Sequence, residues 1–124
     1  MAELAAYTNA PLTTAINSAV AISRGIRVAM ASTGLVAAAA STVRGDLVAS
    51  QAVAASTPAA YFQPQAGGII PMVADGAIAV GDTIYSAASG KVGLTSTSAV
   101  ILGKANTAAS GDGILFEVLI SNPL

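Results

Sequence analysis

The chain has 124 residues, which suits one domain with a core large enough to need no disulfide or structural metal. It contains no cysteine and no histidine, and this excludes disulfides, thiolate or imidazole zinc sites, histidine general bases and Ser-His-Asp triads. Charged residues make up 9% of the chain, with a net charge of -1, against about 25% charged residues in an ordinary soluble domain.

The five basic residues are scattered along the sequence, so no clustered basic surface for nucleic acid is predicted. A membrane span needs about 18 apolar residues without strong breakers, and none is present. The start of the chain has no basic segment followed by an apolar block, so no secretory signal is expected. The protein is therefore predicted to be made in the cytoplasm, with neither nucleic acid nor membrane as a partner.

Residues 1–23 are predicted to form an N-terminal arm. They are rich in Thr, Asn and Ala with isolated larger apolar residues, and Pro11 biases its predecessor towards extended geometry. Such a segment buries too little area to stay ordered alone, so it is expected to be either loose or docked on a partner. Residues 24–124 are predicted to form a single β-rich domain.

The first part of that domain has the pattern of short strands. Residues 26–30 and 35–36 flank a turn, and residues 47–53 alternate more loosely. Tyr61 and Phe62 precede a cluster of turn residues. Residues 69–74 predict a strand whose Pro71 must lie at a sheet edge or a bulge, because proline cannot donate to the ladder.

The second part is more regular and predicts a meander of short strands over 77–80, 83–86, 91–94, 99–105 and 114–120. The last strand is expected to be central, because Glu117 is its one charged residue. The turns between strands are assigned to Gly76, Gly81, Asp82, Gly90, Gly111 and Asp112. The fold class is therefore all-β, a small antiparallel β-barrel or β-sandwich with an extended N-terminal arm.

The sequence predicts no catalytic, cofactor-binding or metal-binding residue. Asp46, Asp75, Asp82 and Asp112 each lie beside a glycine, as an aspartate does when it bonds to the backbone of a turn. We interpret the tripeptide Arg44-Gly45-Asp46 as a chance occurrence. A hydrolase would need two of Asp75, Asp82, Asp112 and Glu117 to converge, and an enzyme is not expected.

The region from Ala74 to Ile120 resembles the capsid decoration (cement) proteins of tailed bacteriophages. The resemblance lies in an order of turn glycines and apolar positions: residues 75–85 (DGAIAVGDTIY), 89–92 (SGKV), 101–105 (ILGKA), 110–113 (SGDG) and 116–120 (FEVLI). The resemblance covers about the last two-fifths of the chain well, and the earlier part only in the general type of sequence.

The resemblance implies a β-rich homotrimer of the β-tulip or β-clip kind, without catalytic activity. It would sit on the outside of the virion at three-fold and quasi-three-fold positions of the head, bind the major capsid protein, and stabilise the expanded shell against the pressure of packaged DNA. The arm would then bind the shell protein by adding to a sheet edge, through residues Leu4, Tyr7, Pro11, Leu12 and Ile16.

A second interpretation is a carbohydrate-binding or adhesive surface module of a phage or bacterium. Its stacking residues would be Tyr61, Phe62 and Tyr85.

The low charge content fits the interpretation as a structural capsid protein, because part of the surface of an assembled protein is interface.

Overall fold

The computed structural model of the chain describes residues 12–13, 17–18, 20–30, 35–64 and 67–120. Their regular structure consists mainly of short strands, with a 3₁₀ turn at Ala88–Gly90. The strands are β1 (Leu12–Thr13), β2 (Asn17–Ser18), β3 (Arg27–Met30), β4 (Leu35–Ala38), β5 (Leu47–Ala49), β6 (Ala60–Phe62), β7 (Gly68–Val73), β8 (Thr83–Ser86), β9 (Val92–Gly93), β10 (Ile101–Ala105) and β11 (Leu115–Ile120). Among the described residues no helix has the length and apolar character to cross a membrane.

The strands form two sheets that divide the sequence into halves. The first sheet has the order β1-β6-β5-β3-β4-β2, and the second has the order β7-β11-β10-β8-β9. Neighbouring strands are antiparallel except for β2 and β4, which are parallel. The prediction of an all-β, mainly antiparallel fold is confirmed.

The first sheet is strongly curled. Its edge strands β1 and β2 are joined by the few residues between Thr13 and Asn17, which span about 14 Å at most. In a flat sheet the same two edges would be about 24 Å apart. Asn17–Ser18 also faces the segment before β6, because Ser56 N donates to Ser18 O at 2.8 Å. The sheet therefore bends until its edges approach each other.

The second sheet is curled as well, and its edges touch at one point, a parallel bridge between Ala74 and Val92. There the Asp75 N–H donates to Val92 O at 2.8 Å. One bridge does not make a ladder, so the barrel alternative of the prediction is not realised. The two curled sheets pack together in a sandwich-like arrangement.

Each sheet has its own core, and the two cores exchange residues at the junction. Val48 of β5 belongs to the core of the second sheet, while Val73 of β7 belongs to the core of the first. The core of the second sheet also contains Ile70, Met72, Ile84, Val92, Leu102, Phe116, Val118 and Ile120. That of the first sheet contains Ile22, Ile26, Val28, Ala49, Val53, Ala59 and Tyr61. The domain is held together by apolar contact between the halves.

A buried arginine also joins the halves. Arg27 on β3 has no exposed surface, and its guanidinium donates to the carbonyl oxygens of Lys91, Arg44, Ala40, Val43 and Ala87, with Nε to Lys91 O at 3.0 Å and Nη1 to Arg44 O at 2.9 Å. Loss of hydration on burial lowers its pKa to about 10. The group is still charged at neutral pH, and backbone dipoles replace its water shell.

Pro71 lies where the sequence predicted, because β7 is an edge strand of the second sheet. It faces Glu117, whose N–H donates to Thr107 Oγ1 and whose carbonyl accepts from Asn106 N. The backbone of Glu117 thus points away from Pro71, so the missing N–H leaves no partner unsatisfied. The prediction that the last strand is central is confirmed too, since β11 lies between β7 and β10.

The predicted strand over 77–80 is wrong. Ile78 makes an isolated bridge with Ala109, and the next residue enters a turn in which Asp82 Oδ2 accepts from Ala79 N at 2.9 Å. The aspartate removes the backbone donor that a ladder would need.

Candidate interaction face

The predicted turn residues lie in loops between strands. Gly81 and Gly90 have positive φ angles, +89° and +75°, which glycine adopts without strain. Asp82 closes the turn after Ala79, and Asp112 forms an ion pair with Lys91 at 2.8 Å. A Cβ added at Gly76 or Gly111 would meet nothing within 4 Å.

Carboxylates are not gathered into a metal centre, since within the described ranges no group of three or more aspartates and glutamates could hold an ion. Asp46 accepts from the Met30 N–H at 2.7 Å. In the same tripeptide, Gly45 is buried at φ +93° and Arg44 donates to Ile101 O at 3.2 Å. These residues shape the loop between β4 and β5.

The aromatic residues are poorly placed for stacking on a sugar. Tyr61 is 0% exposed, burial raises its pKa, and its hydroxyl has no hydrogen-bond partner within the described part of the chain. Phe62 is half-buried and packs against the core of the second sheet. Tyr85 is half-buried on β8. A flat aromatic platform on the surface, which the adhesive interpretation requires, is not formed by these three residues.

The predicted arm residues are seen only in part. The backbone of Leu12 pairs with Tyr61 at the edge of the first sheet. Leu4, Tyr7, Pro11 and Ile16 lie outside the described residues. Further along, Ser18 and Ile22 are buried, so the later part of the predicted arm packs into the first sheet.

The surface with the strongest functional signal is the side of the second sheet that faces away from its core. Along β11 every second residue is exposed, and the register of β7, β10 and β8 extends this side across the sheet. We call it the outer face. Its exposed and half-buried members are Ile69, Pro71, Thr83, Tyr85, Ile101, Lys104, Leu115, Glu117 and Leu119. Val73, which lies opposite Leu115 on the same side, is buried in the core of the first sheet.

The outer face is mostly apolar. Leu115, Ile101 and Leu119 are 39%, 41% and 43% exposed, and Ile69 and Pro71 beside them are half-buried. An antiparallel strand with one solvent-exposed face normally alternates apolar and polar residues. In β11, however, leucines lie on the exposed face. Contiguous exposed apolar side chains of this kind mark interaction surfaces.

Sequence reasoning did not assign this face. The signal was present in the final strand, where an apolar run carries the single charge Glu117. The run predicts a central strand, which does not reveal that the side carrying Leu115 and Leu119 is exposed.

A cleft of about 310 Å³ lies at one end of the outer face. It is lined by Arg24, Pro71, Thr107, Leu115, Phe116 and Glu117. A second cleft, about 240 Å³, is lined by hydroxyl and small side chains including Ser41, Ser86, Thr95 and Thr97. Ser86 donates to Ser41 O and accepts from Val100 N at 2.8 Å, so its hydroxyl is already satisfied within the protein.

The fold is similar to that of a protein of a bacteriophage head. The chain is similar to the crystal structure of the N base of head fiber gp8.5 in bacteriophage phi29, with a TM-score of 0.75 and 19% sequence identity. The match covers 90% of this chain and 95% of that one. At this identity the likeness establishes a shared fold. No protein-family profile and no curated protein matches the sequence.

Proposed function

We propose that this chain is a structural protein of a bacteriophage head, without enzymatic activity. The observation that carries the proposal is the likeness to the phi29 head fiber base over 90% of the chain. The order of turn glycines and apolar residues between Ala74 and Ile120 independently supports the same class of protein. The protein would sit on the outer surface of the capsid in the virion after synthesis in the host cytoplasm.

In the more specific form of the proposal, the protein is a decoration protein that binds the major capsid protein as a homotrimer at three-fold and quasi-three-fold positions. A ligand that binds the expanded shell but not its open or unexpanded forms stabilises it by mass action. The gain is about 2.7 kcal/mol per site when the free ligand is at 100 times Kd. Three arms on one trimer add avidity, because the second and third contacts become intramolecular.

The arm is proposed to make the contact with the shell, through Leu4, Tyr7, Pro11, Leu12 and Ile16. In support, β1 is an edge strand of the first sheet, so the segment that precedes it begins at an edge. An extended segment of this kind binds partners by strand addition.

A second role in the same class is the base of a head fiber, which the description of the phi29 structure favours. A fiber base must hold on to the shell but need not strengthen it. The two roles differ in one measurable property, the temperature at which the decorated shell breaks.

The test uses purified expanded heads that lack this protein, with unexpanded heads as the control. We expect the full chain to cosediment with expanded heads, to saturate in multiples of three copies and to raise the disruption temperature. Saturation without a rise in that temperature would favour the fiber base. A chain lacking residues 1–11 should bind more weakly, and unchanged affinity would overturn the role of Leu4, Tyr7 and Pro11. Failure to bind any head would overturn the proposal itself.

A further inference from the structure

The outer face carries two opposite charges that are neighbours but do not pair. On β10, Lys104 lies opposite Leu119 of β11, and Glu117 lies two residues away along the same strand. Such diagonal positions are about 7–8 Å apart. Lys91 and Asp112 form an ion pair, whereas none joins Lys104 to Glu117, both of which are described.

Each of the two charges instead contacts an uncharged side chain. Lys104 Nζ is 3.3 Å from Thr83 Oγ1, and Glu117 Oε1 accepts from Asn106 Nδ2 at 2.9 Å. Both residues are exposed. Each can therefore pair with an opposite charge from outside the chain without breaking an ion pair within it.

The apolar residues surround this pair of charges. Leu115 and Leu119 flank Glu117 on β11. Pro71 and Ile69 lie beside them on β7, and Ile101 lies on β10. Lys104 and Glu117 balance each other on these strands, and Arg24 adds one positive charge at the cleft beside Leu115. An identical face therefore meets it with both signs of charge available for pairing. A strongly charged partner would find no complementary field here.

We propose that the outer face is the contact between copies of this chain, with three copies turning this face towards a common axis. Lys104 of one copy then lies against Glu117 of the next, and the exposed leucines and isoleucine are buried between them. The inference rests on the homotrimer of the proposed function and assigns its interface. It makes no use of the arm.

The test measures solution mass by light scattering over a range of concentrations for the full chain and its variants. We expect a trimer for the unchanged chain and a monomer for Leu119→Lys at concentrations where the unchanged chain is assembled. The control is Val80→Lys. Val80 is the most exposed large apolar residue among those described, at 65%, and lies in a turn outside the outer face, so its substitution should leave the trimer intact.

A charge exchange provides the second arm of the test, at exposed positions where folding is not at risk. Lys104→Glu and Glu117→Lys alone should each raise the dissociation constant by about tenfold, and the double variant should recover most of the loss. Recovery requires that the two residues face each other between copies.

Three results would overturn the inference. A folded Leu119→Lys variant that remains a trimer would place the interface elsewhere and leave the trimer itself standing. Charge variants whose effects simply add, with no recovery, would remove the pairing between copies. An unchanged chain that stays monomeric at every concentration would exclude the interface in solution. Binding to expanded heads, measured separately, then decides the proposed function by itself.

Discussion

Arg27 Nε donates to the carbonyl oxygen of Lys91 at 3.0 Å, and this bond joins β3 of the first sheet to the loop that precedes β9 of the second. The same side chain reaches the Ala87 carbonyl across the junction and the loop between β4 and β5 on its own side. A planar fork of five N–H donors matches such a set of carbonyls, and no other side chain offers it.

Arg27→Lys should therefore lower the free energy of unfolding by about 3 kcal/mol, because an ammonium has three donors and leaves buried carbonyls unpaired. Chemical denaturation measures the change. The matched control is Arg24→Lys, since Arg24 is exposed and its replacement should change stability by less than about 0.5 kcal/mol. Equal effects at the two positions would contradict the role of Arg27.

Alanine substitutions at Gly90 and Gly81 distinguish the stability cost of backbone strain from the cost of steric contact. Both have positive φ, so alanine costs about 1 kcal/mol at either position. A Cβ on Gly81 meets nothing within 4 Å, whereas one on Gly90 comes within 2.6 Å of the Arg27 carbonyl oxygen. We expect Gly81→Ala to remain folded and Gly90→Ala to lose at least about 3 kcal/mol or fail to fold, as measured by thermal unfolding. Similar melting temperatures would show that the loop at Gly90 moves freely.

Tyr61 should make the protein less stable in alkali. Burial raises the pKa of its phenol above the usual value of 10, so the stability tied to the neutral form is present below pH 10 and is lost as the pH rises through the folded-state pKa. Arg27 acts in the opposite direction, because burial lowers its pKa to about 10. Its contribution to stability increases as the pH rises above 10.

Tyr61→Phe removes the pH dependence of stability that comes from Tyr61 and keeps the one that comes from Arg27. The variant should gain about 1 kcal/mol at pH 8, since a buried hydroxyl without a partner is deleted. Its advantage over the unchanged chain should widen between pH 8 and pH 11 in urea denaturation. An advantage that does not change with pH would contradict the raised pKa.

The ion pair of Lys91 and Asp112 should contribute little. Their side chains are 31% and 65% exposed, and an isolated surface pair is worth less than about 1 kcal/mol. A double-mutant cycle with Lys91→Met and Asp112→Asn measures the coupling directly. The Lys91 carbonyl that Arg27 uses belongs to the backbone and is retained in both variants. A coupling above about 2 kcal/mol would show that the pair is far better ordered than its exposure indicates.

Local patterns in the sequence were enough to predict most strands. The alternation around Val28, the glycine turns at Gly81 and Gly90, and the apolar run of β11 each depend on neighbours a few residues away. The edge position of Pro71 could be predicted for the same reason, because a missing N–H is a property of one residue.

Long-range relationships could not be predicted. The order of strands, the split into two sheets and the parallel pairing of β2 with β4 depend on contacts between distant residues. Arg27 shows this limit of sequence-based prediction most clearly. A basic residue between Ile26 and Val28 has the pattern of an exposed strand position. Its burial depends on carbonyl acceptors from up to 64 residues away. The outer face was missed because exposure of β11 on one side depends on what the rest of the chain leaves uncovered.

The division of the chain into an early sheet and a late sheet sets an order of events during synthesis. The strands of the first sheet lie before residue 63 and those of the second after residue 67, so the first can form on the ribosome while the second is still being translated. In that nascent chain the Arg27 guanidinium has the carbonyls of Ala40, Val43 and Arg44 within reach, 13 to 17 residues along, but remains open to water on its other side. Ala87 and Lys91 supply the remaining acceptors, so full burial of this charge requires both halves of the chain.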